Sequence, residues 1–430
     1  MSRILIASQP IAGHLMPLLP IAAELVHRGH EVRWYTGAKY AGRVERLGVR
    51  VEPYVQAHDY DDAHFGATFP GRDELKGLRQ IQFDIRHIFV GQIEAQLRDL
   101  QAIQAHWPAD VVLAEQTLIA ALLQEELGGP PCALLGILPL GIQSRDTAPF
   151  GLGLMPDSSV VGQWRNRALH WAAQNVIFGA ASRELEVLCR RIGARPRKMS
   201  LPVAPSLMLQ ATVASFEYPQ RDLPRQLHFI GSITPPLPVH PTLPPWWSEL
   251  LAERRPVVLV TQGTLATDPR ELIGPTLRAL ASEPVLVVAA GVSDPAALGD
   301  LPANARVAGF VPFPLLLPFV SVFVTNGGYG GVQQALSHGL PLVVAGDSED
   351  KAEVANRVQY AGVGFNLRTR RPSPGPLRAA VRALLAEGPL RERAAALGQE
   401  LREQGAVGTA ATLVERLAEG GGPVERLSDA

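Results

Sequence analysis

Val322-Phe323-Val324-Thr325-Asn326-Gly327-Gly328-Tyr329-Gly330-Gly331-Val332-Gln333-Gln334-Ala335-Leu336 is the stretch that decides how this chain folds. An apolar run ending at Val324 reads as a buried strand, and Val332, Ala335 and Leu336 recur at helical spacing, so the glycines fill a turn from strand into helix. Glycine there lets the backbone approach a ligand closely, and the first amides of the helix present unpaired N–H groups where the dipole favours an anion. The turn reads as a phosphate cradle; the plainer alternative is a Gly-rich turn that only packs tightly. It has no Lys in the GxxxxGK[ST] position and does not match GxGxxG, which counts against a P-loop NTPase and a dinucleotide dehydrogenase.

Outward from that turn the alternation continues. Val257 to Thr261, Val285 to Ala289, Arg306 to Ala308 and Leu342 to Val344 are further short strands separated by helical patterns, which makes an open parallel sheet. Upstream, Gly231-Ser232-Ile233-Thr234-Pro235-Pro236-Leu237-Pro238 with Pro241, Pro244 and Pro245 reads as an extended connector. Before it the same logic repeats. Arg3 to Ser8, the helical pattern from Leu18 to Val26 and Glu31 to Thr36 form a βαβ unit, and Val111 to Ala114 and Ala133 to Leu138 are further strands. The expected fold is α/β, with two Rossmann-like parallel-sheet domains facing across a cleft: an acceptor domain over 1–230, a linker over 231–247 and a donor domain over 248–430, whose last helix can pack back on the first. Ligands of such sheets sit at the carboxyl ends of the strands.

A chain of 430 residues, 47% hydrophobic and 19% charged, suits two domains, and its net charge of −1 offers no basic field for nucleic acid. No Lys/Arg-rich run marks an anionic-lipid patch. Cys132 and Cys189 stand far apart, without a CxxC or Cys/His cluster, so neither a disulfide framework nor a zinc site is expected. Pro10, Gly13 and Pro17 interrupt the apolar stretch from Ile4 to Val26, which is no signal peptide, and no apolar run reaches the roughly 20 residues of a membrane span. A cytoplasmic protein is expected; its oligomeric state is not legible.

Two further segments face the same cleft. Gly263 and Thr264 follow the first strand of the second half and could meet the same phosphates. Phe310-Val311-Pro312-Phe313 places an aromatic at a strand end, where it could stack on a base or simply pack in the core. With these, the second half resembles the donor domain of the inverting, nucleotide-sugar-dependent glycosyltransferases of the GT-B fold, family 1 type, which includes plant secondary-metabolite and bacterial macrolide enzymes. The likeness is carried by Gly263-Thr264, by Phe310-Val311-Pro312-Phe313 in the place of Trp-x-Pro-Gln, by the Gly-rich run after Thr325, by Gly339-Leu340-Pro341-Leu342-Val343, and by Asp350-Lys351 in the place of Asp-Gln. The resemblance implies that Phe310, with Val311 beside it, receives the base. It implies that Gly263, Thr264, Asn326 and the amides of Gly327, Gly328, Tyr329, Gly330 and Gly331 hold the diphosphate, and that Asp350 and Lys351 meet the sugar hydroxyls. Three positions depart from the pattern. Asn326 replaces a phosphate-binding His, Gln334 a ribose-binding Glu and Lys351 a Gln, so base (uracil or thymine) and sugar stay open.

In the first half, Gly13-His14-Leu15-Met16-Pro17 and Arg28-Gly29-His30-Glu31-Val32 resemble the family's Gly-His-x-x-Pro and Arg-Gly-His-x-Val pair, whose first His is the general base. An imidazole at a strand end, with an unperturbed pKa near 6.5, suits that work. His30 reads as structural. Glu115 stands where the family's orienting Asp follows a strand. Asp59-Tyr60-Asp61-Asp62 has the look of a metal-binding Asp-x-Asp but falls in a polar loop and reads as a solvated turn; no metal and no cofactor beyond the nucleotide-sugar co-substrate is expected. Phe65, Phe69, Phe83, Phe89, Trp164, Trp171 and Phe178 are candidates for an apolar acceptor wall. The function this implies is transfer of a hexose from a UDP- or dTDP-sugar to a hydroxyl of a small apolar or aromatic acceptor. A non-catalytic nucleotide-sugar-binding partner protein and a lipid-acceptor transferase are the alternatives.

Overall fold

The computed structural model describes residues 1–235, 241–263, 268–292, 294–347 and 350–426. The first sheet holds β1 (Arg3–Ala7), β2 (Glu31–Thr36), β3 (Arg50–Pro53), β4 (Val111–Glu115), β5 (Cys132–Gly136), β6 (Leu207–Gln210) and β7 (Leu227–Phe229), in the order β3-β2-β1-β4-β5-β6-β7. The second holds β8 (Val257–Thr261), β9 (Leu286–Ala290), β10 (Ala305–Ala308), β11 (Val320–Thr325), β12 (Leu342–Val344) and β13 (Gly364–Asn366), in the order β10-β9-β8-β11-β12-β13. Every strand pair is parallel. Helices cover both faces, which is why β4, β5, β8 and β9 are buried along their whole length and read as continuous apolar runs. These are two Rossmann-like domains.

The chain does not keep its two halves apart. Val213 and Phe216, from the segment after β6, pack into the second core with Leu259, Val288 and Leu336. In return the helix Ala406–Gly420 lays Ala410, Ala411, Val414 and Leu417 against Leu18, Ile21 and Leu25 of the first. Arg28 and His30 fasten that helix: Arg28 Nη1 and His30 Nε2 each lie 2.8 Å from the Glu415 carboxylate. Burial pushes the Glu415 carboxyl up, but His30 and Arg28 outweigh it and hold its pKa below the ordinary value. At Gly231 the backbone is left-handed, with φ +84°, and a Cβ would come 2.4 Å from the Leu401 carbonyl oxygen, so only glycine fits. Residues 236–240 of the expected linker lie outside the described residues.

A buried charge cluster joins the halves. Arg357, on the helix Lys351–Tyr360, pairs with Glu217 of the first half and, at 2.9 Å, with Glu353, and donates to the Leu140 carbonyl at 2.9 Å. Glu353 accepts in turn from the amides of Gly151 and Gly153, at 3.0 and 2.8 Å. Thr212 donates to Gln333 at 3.1 Å. Loops that follow β5 and β6 are therefore held against the helices that follow β11 and β12.

Candidate active site

β1 and β4 are neighbours, with Ala7 beside Ala114, so the residues that leave their carboxyl ends meet although far apart in sequence. After β1 the chain forms the one-turn helix Ala12–Leu15, which carries His14. β4 itself ends on Glu115, fully buried. His14 Nδ1 lies 3.2 Å from Glu115 Oε2. Thr117, a residue not singled out in the sequence, completes the group. Its amide donates to Glu115 Oε2 at 2.7 Å, its hydroxyl donates to Glu115 Oε1 at 2.7 Å, and its oxygen stands 3.1 Å from His14 Nδ1. A threonine hydroxyl has one proton, and here the carboxylate takes it. His14 Nδ1 thus faces two acceptors and carries the ring proton, which leaves the Nε2 lone pair directed elsewhere. The ring lies parallel to Phe89, with centroids 6.1 Å apart.

The acidic loop is more than a solvated turn. Asp62 is buried and accepts from the Ala12 amide at 2.8 Å, capping the turn that carries His14, and Tyr40 donates to the same oxygen at 2.8 Å. Lys39 pairs with Asp61 and Asp62, and Asp59 accepts from the Ala38 amide at 2.8 Å. These carboxylates are engaged in holding a loop. Among the described residues no three His, Cys, Asp or Glu side chains group as metal ligands would.

At the ends of β8 and β11 the material is backbone. Gly327 has φ +95°, and a Cβ there would come 2.9 Å from Val344 Cγ1, so its glycine is a packing requirement. At Gly328 and Gly330 an added Cβ meets nothing within 4 Å, and at Gly331 only the Phe323 ring edge at 4.0 Å. Gly328 caps the helix Tyr329–Ser337, whose first amides have no partner within the helix. Asn326 is buried against Gly263: its Nδ2 donates to the Gln262 carbonyl, while its Oδ1 has no partner. Gly263 is exposed with φ +75°, and Thr264 lies outside the described residues. Phe310 is 72% exposed, whereas Val311 is buried in the core. Asp350 caps the helix that Lys351 begins, and the Lys351 carbonyl would lie 3.3 Å from a Cβ at Gly327, so both residues stand beside the Gly-rich turn. Gln334 is half-buried on the helix after the turn, and at Gly13, next to His14, an added Cβ would again meet nothing within 4 Å.

The Tyr329 side chain is buried between the halves, its hydroxyl 3.2 Å from Gln210 Nε2, so only its amide remains at the turn. Trp164 and Trp171 face outward, 67% and 63% exposed, and stand outside the cluster that Phe65, Phe83 and Phe89 join. Phe65, Phe83 and Phe89 do gather, with Tyr60, Phe69 and Ile88, around Ile11 at the start of the His14 turn. Phe178 ends the π-helical segment Ala173–Ile177, whose Ile177 carbonyl accepts from Gln82 at 2.6 Å.

The chain is 44% identical over 420 residues to 4'-demethylrebeccamycin synthase of Lentzea aerocolonigenes, covering 97% of this chain and 99% of that one. It belongs to the family 1-type natural-product glycosyltransferases. UDP-glycosyltransferase 2 of Phaeomoniella chlamydospora is 33% identical, with 97% and 96% coverage. Residues 276–417 match the family described as erythromycin biosynthesis protein CIII-like, C-terminal domain. The crystal structure of the glycotransferase of kitacinnamycin superposes with a TM-score of 0.74 at 24% identity, over 96% of this chain and 98% of that one, which places the fold as GT-B. This glycosyltransferase uses nucleotide-sugar donors, and in a GT-B enzyme the two strand-end regions are the two sides of one site.

Proposed function

We propose that this glycosyltransferase inverts the anomeric centre of a UDP- or dTDP-hexose as it transfers the sugar to a hydroxyl of a small apolar or aromatic acceptor, with no metal ion and no further cofactor. The observation that carries this reading is the His14-Glu115-Thr117 arrangement, in which two acceptor oxygens lie 3.2 and 3.1 Å from Nδ1 and favour the tautomer that leaves the Nε2 lone pair open. His14 Nε2 takes the acceptor's O–H proton while that oxygen bonds to the anomeric carbon. The bond from that carbon to the diphosphate oxygen breaks, and its electron pair leaves with the phosphate. Glu115 stabilises the imidazolium that results. The amides of Gly328 to Gly331 receive the growing phosphate charge, a role favoured by the open space in front of Gly328 and Gly330. Phe310 offers a face to the base. Asn326 Oδ1, buried and without a partner, suits a hydroxyl donor better than a phosphate oxygen, which would meet it acceptor to acceptor. Phe89 and the Phe65-Phe83 cluster line the acceptor side.

The test is product stereochemistry with an α-linked donor, read by NMR with EDTA present and divalent cations omitted. A β-glycoside formed at an undiminished rate is expected. An α-glycoside would overturn inversion, and a rate restored only by Mg²⁺ or Mn²⁺ would overturn the assignment of the phosphate charge to backbone amides.

A further inference from the structure

The helix Val160–Ala172 turns an apolar face to solvent. Val160, Val161, Trp164 and Trp171 are 73%, 78%, 67% and 63% exposed, with Arg167 and Ala168 exposed among them. These positions recur at spacings of three and four, so they share one side of the helix. The opposite side is held down by Gly162, Asn166 and His170: Asn166 donates to the Arg145 carbonyl at 2.9 Å, and His170 Nε2 lies 3.1 Å from the Thr147 carbonyl. Val176, 68% exposed, extends the face into the next turn. The two tryptophans are seven residues apart, about 10 Å along the axis, and reach out to the same side. Other exposed large apolar residues of the first domain, such as Val55, Leu127 and Val187, are scattered through the chain.

Charge says what covers this face. No Asp or Glu occurs between Ser158 and Arg183, whereas Arg165, Arg167 and Arg183 do. Arg165 reaches Asp157 at 3.9 Å, while Arg167, between the tryptophans, has no acidic partner among the described residues. A second copy meeting this face by a twofold axis would bring Arg167 toward Arg167 with no acid to offset it. A lipid surface with anionic headgroups meets both features, because the tryptophan ring is apolar in its body and polar at its N–H and settles at the headgroup level, and the unpaired Arg167 gains from the negative surface potential.

We propose that the Trp164-Trp171 face is a peripheral docking surface for an anionic lipid bilayer, with the helix lying in the plane of the headgroups. The sequence offers no Lys/Arg-rich run to mark such a surface. The signal is spread over helical spacing and does not form a basic run. No helix among the described residues is long and apolar enough to cross a membrane, so the contact is one of surface only. The surface stands independently of the chemistry proposed above.

The test is flotation of the full chain with phosphatidylcholine vesicles and with equimolar phosphatidylcholine-phosphatidylglycerol vesicles, read with the tryptophan emission maximum. Co-flotation with the anionic vesicles alone, a blue-shifted emission and release by salt are expected. Trp164→Ser with Trp171→Ser should abolish binding, with circular dichroism and melting checking that the double variant folds as the parent does. Arg167→Glu, which leaves both rings in place, should weaken binding about tenfold. No flotation at low ionic strength would overturn the proposal, as would binding unchanged in both variants. A concentration-dependent dimer that the tryptophan substitutions dissolve would assign the face to a second copy instead. Co-purification with an acidic protein, without vesicle binding, would assign it to that partner.

Discussion

The carboxyl ends of β1 and β4 and those of β8 and β11 are equivalent places in two domains of one architecture, yet they are built from different material. The first is made of side chains whose hydrogen bonds are mutually satisfied: Thr117 serves Glu115, Glu115 and Thr117 serve His14, and Asp62 fixes the turn beneath. The second is made of backbone, with open space before Gly328 and Gly330 and an unpartnered oxygen on Asn326. A proton acceptor must be held in one tautomer and orientation before substrate arrives, which takes side chains packed around it. A site for a leaving anion needs donors without partners, and the first turn of a helix supplies them. The two ends should therefore fail differently when damaged.

The largest effect outside His14 itself is expected from Glu115→Gln, which keeps the shape but presents an amide N–H to an imidazole that needs an acceptor. Turnover should fall about 10–100-fold, the scale on which partners of a functional imidazole act, with donor affinity in calorimetry unchanged. A parallel loss of donor affinity would mean the two ends are not separable. Phe310→Ala attacks the other end. Nucleotide binding should weaken by about 1–3 kcal/mol, the worth of one base-aromatic stack, with the pH profile of turnover unmoved. Undiminished nucleoside diphosphate affinity would remove the ring from the donor site. Thr117→Val is the smallest and the sharpest: loss of one hydrogen bond of about 1 kcal/mol should lower turnover severalfold and shift the rate profile along pH, while Thr117→Ser restores both. A deficit that serine does not restore would make Thr117 a packing residue.

The parallel sheets and the Gly-rich turn were legible because strand-turn-helix periodicity carries them locally, whereas His14 and Glu115 were singled out only through the resemblance of their segments to the family's motifs. What was not legible depends on pairs distant in sequence. Asp62 looked solvated until its contact with the Ala12 amide placed it under the His14 turn. Tyr329 sits inside the cradle motif, yet its ring turns back toward Gln210, because a residue at the start of a helix can face either its ligand or its neighbouring domain. Arg357 and Glu217 carry no local signal, and their burial as a pair appears only when the halves meet. Thr117 carried one faint signal, a hydroxyl two residues after the carboxylate, a spacing at which it can bond back to its neighbour.

The central claim is that the side-chain end handles the acceptor's proton and the backbone end handles the nucleotide. His14→Ala tests it most directly, with donor affinity measured by calorimetry and turnover measured against acceptors of graded hydroxyl acidity. Donor affinity should match the parent, turnover should fall about 10²–10⁴-fold for an alcohol, and the loss should shrink steadily toward nitrophenols, which need a base least. Turnover equal to the parent's, or a loss of the same size for every acceptor, would contradict it.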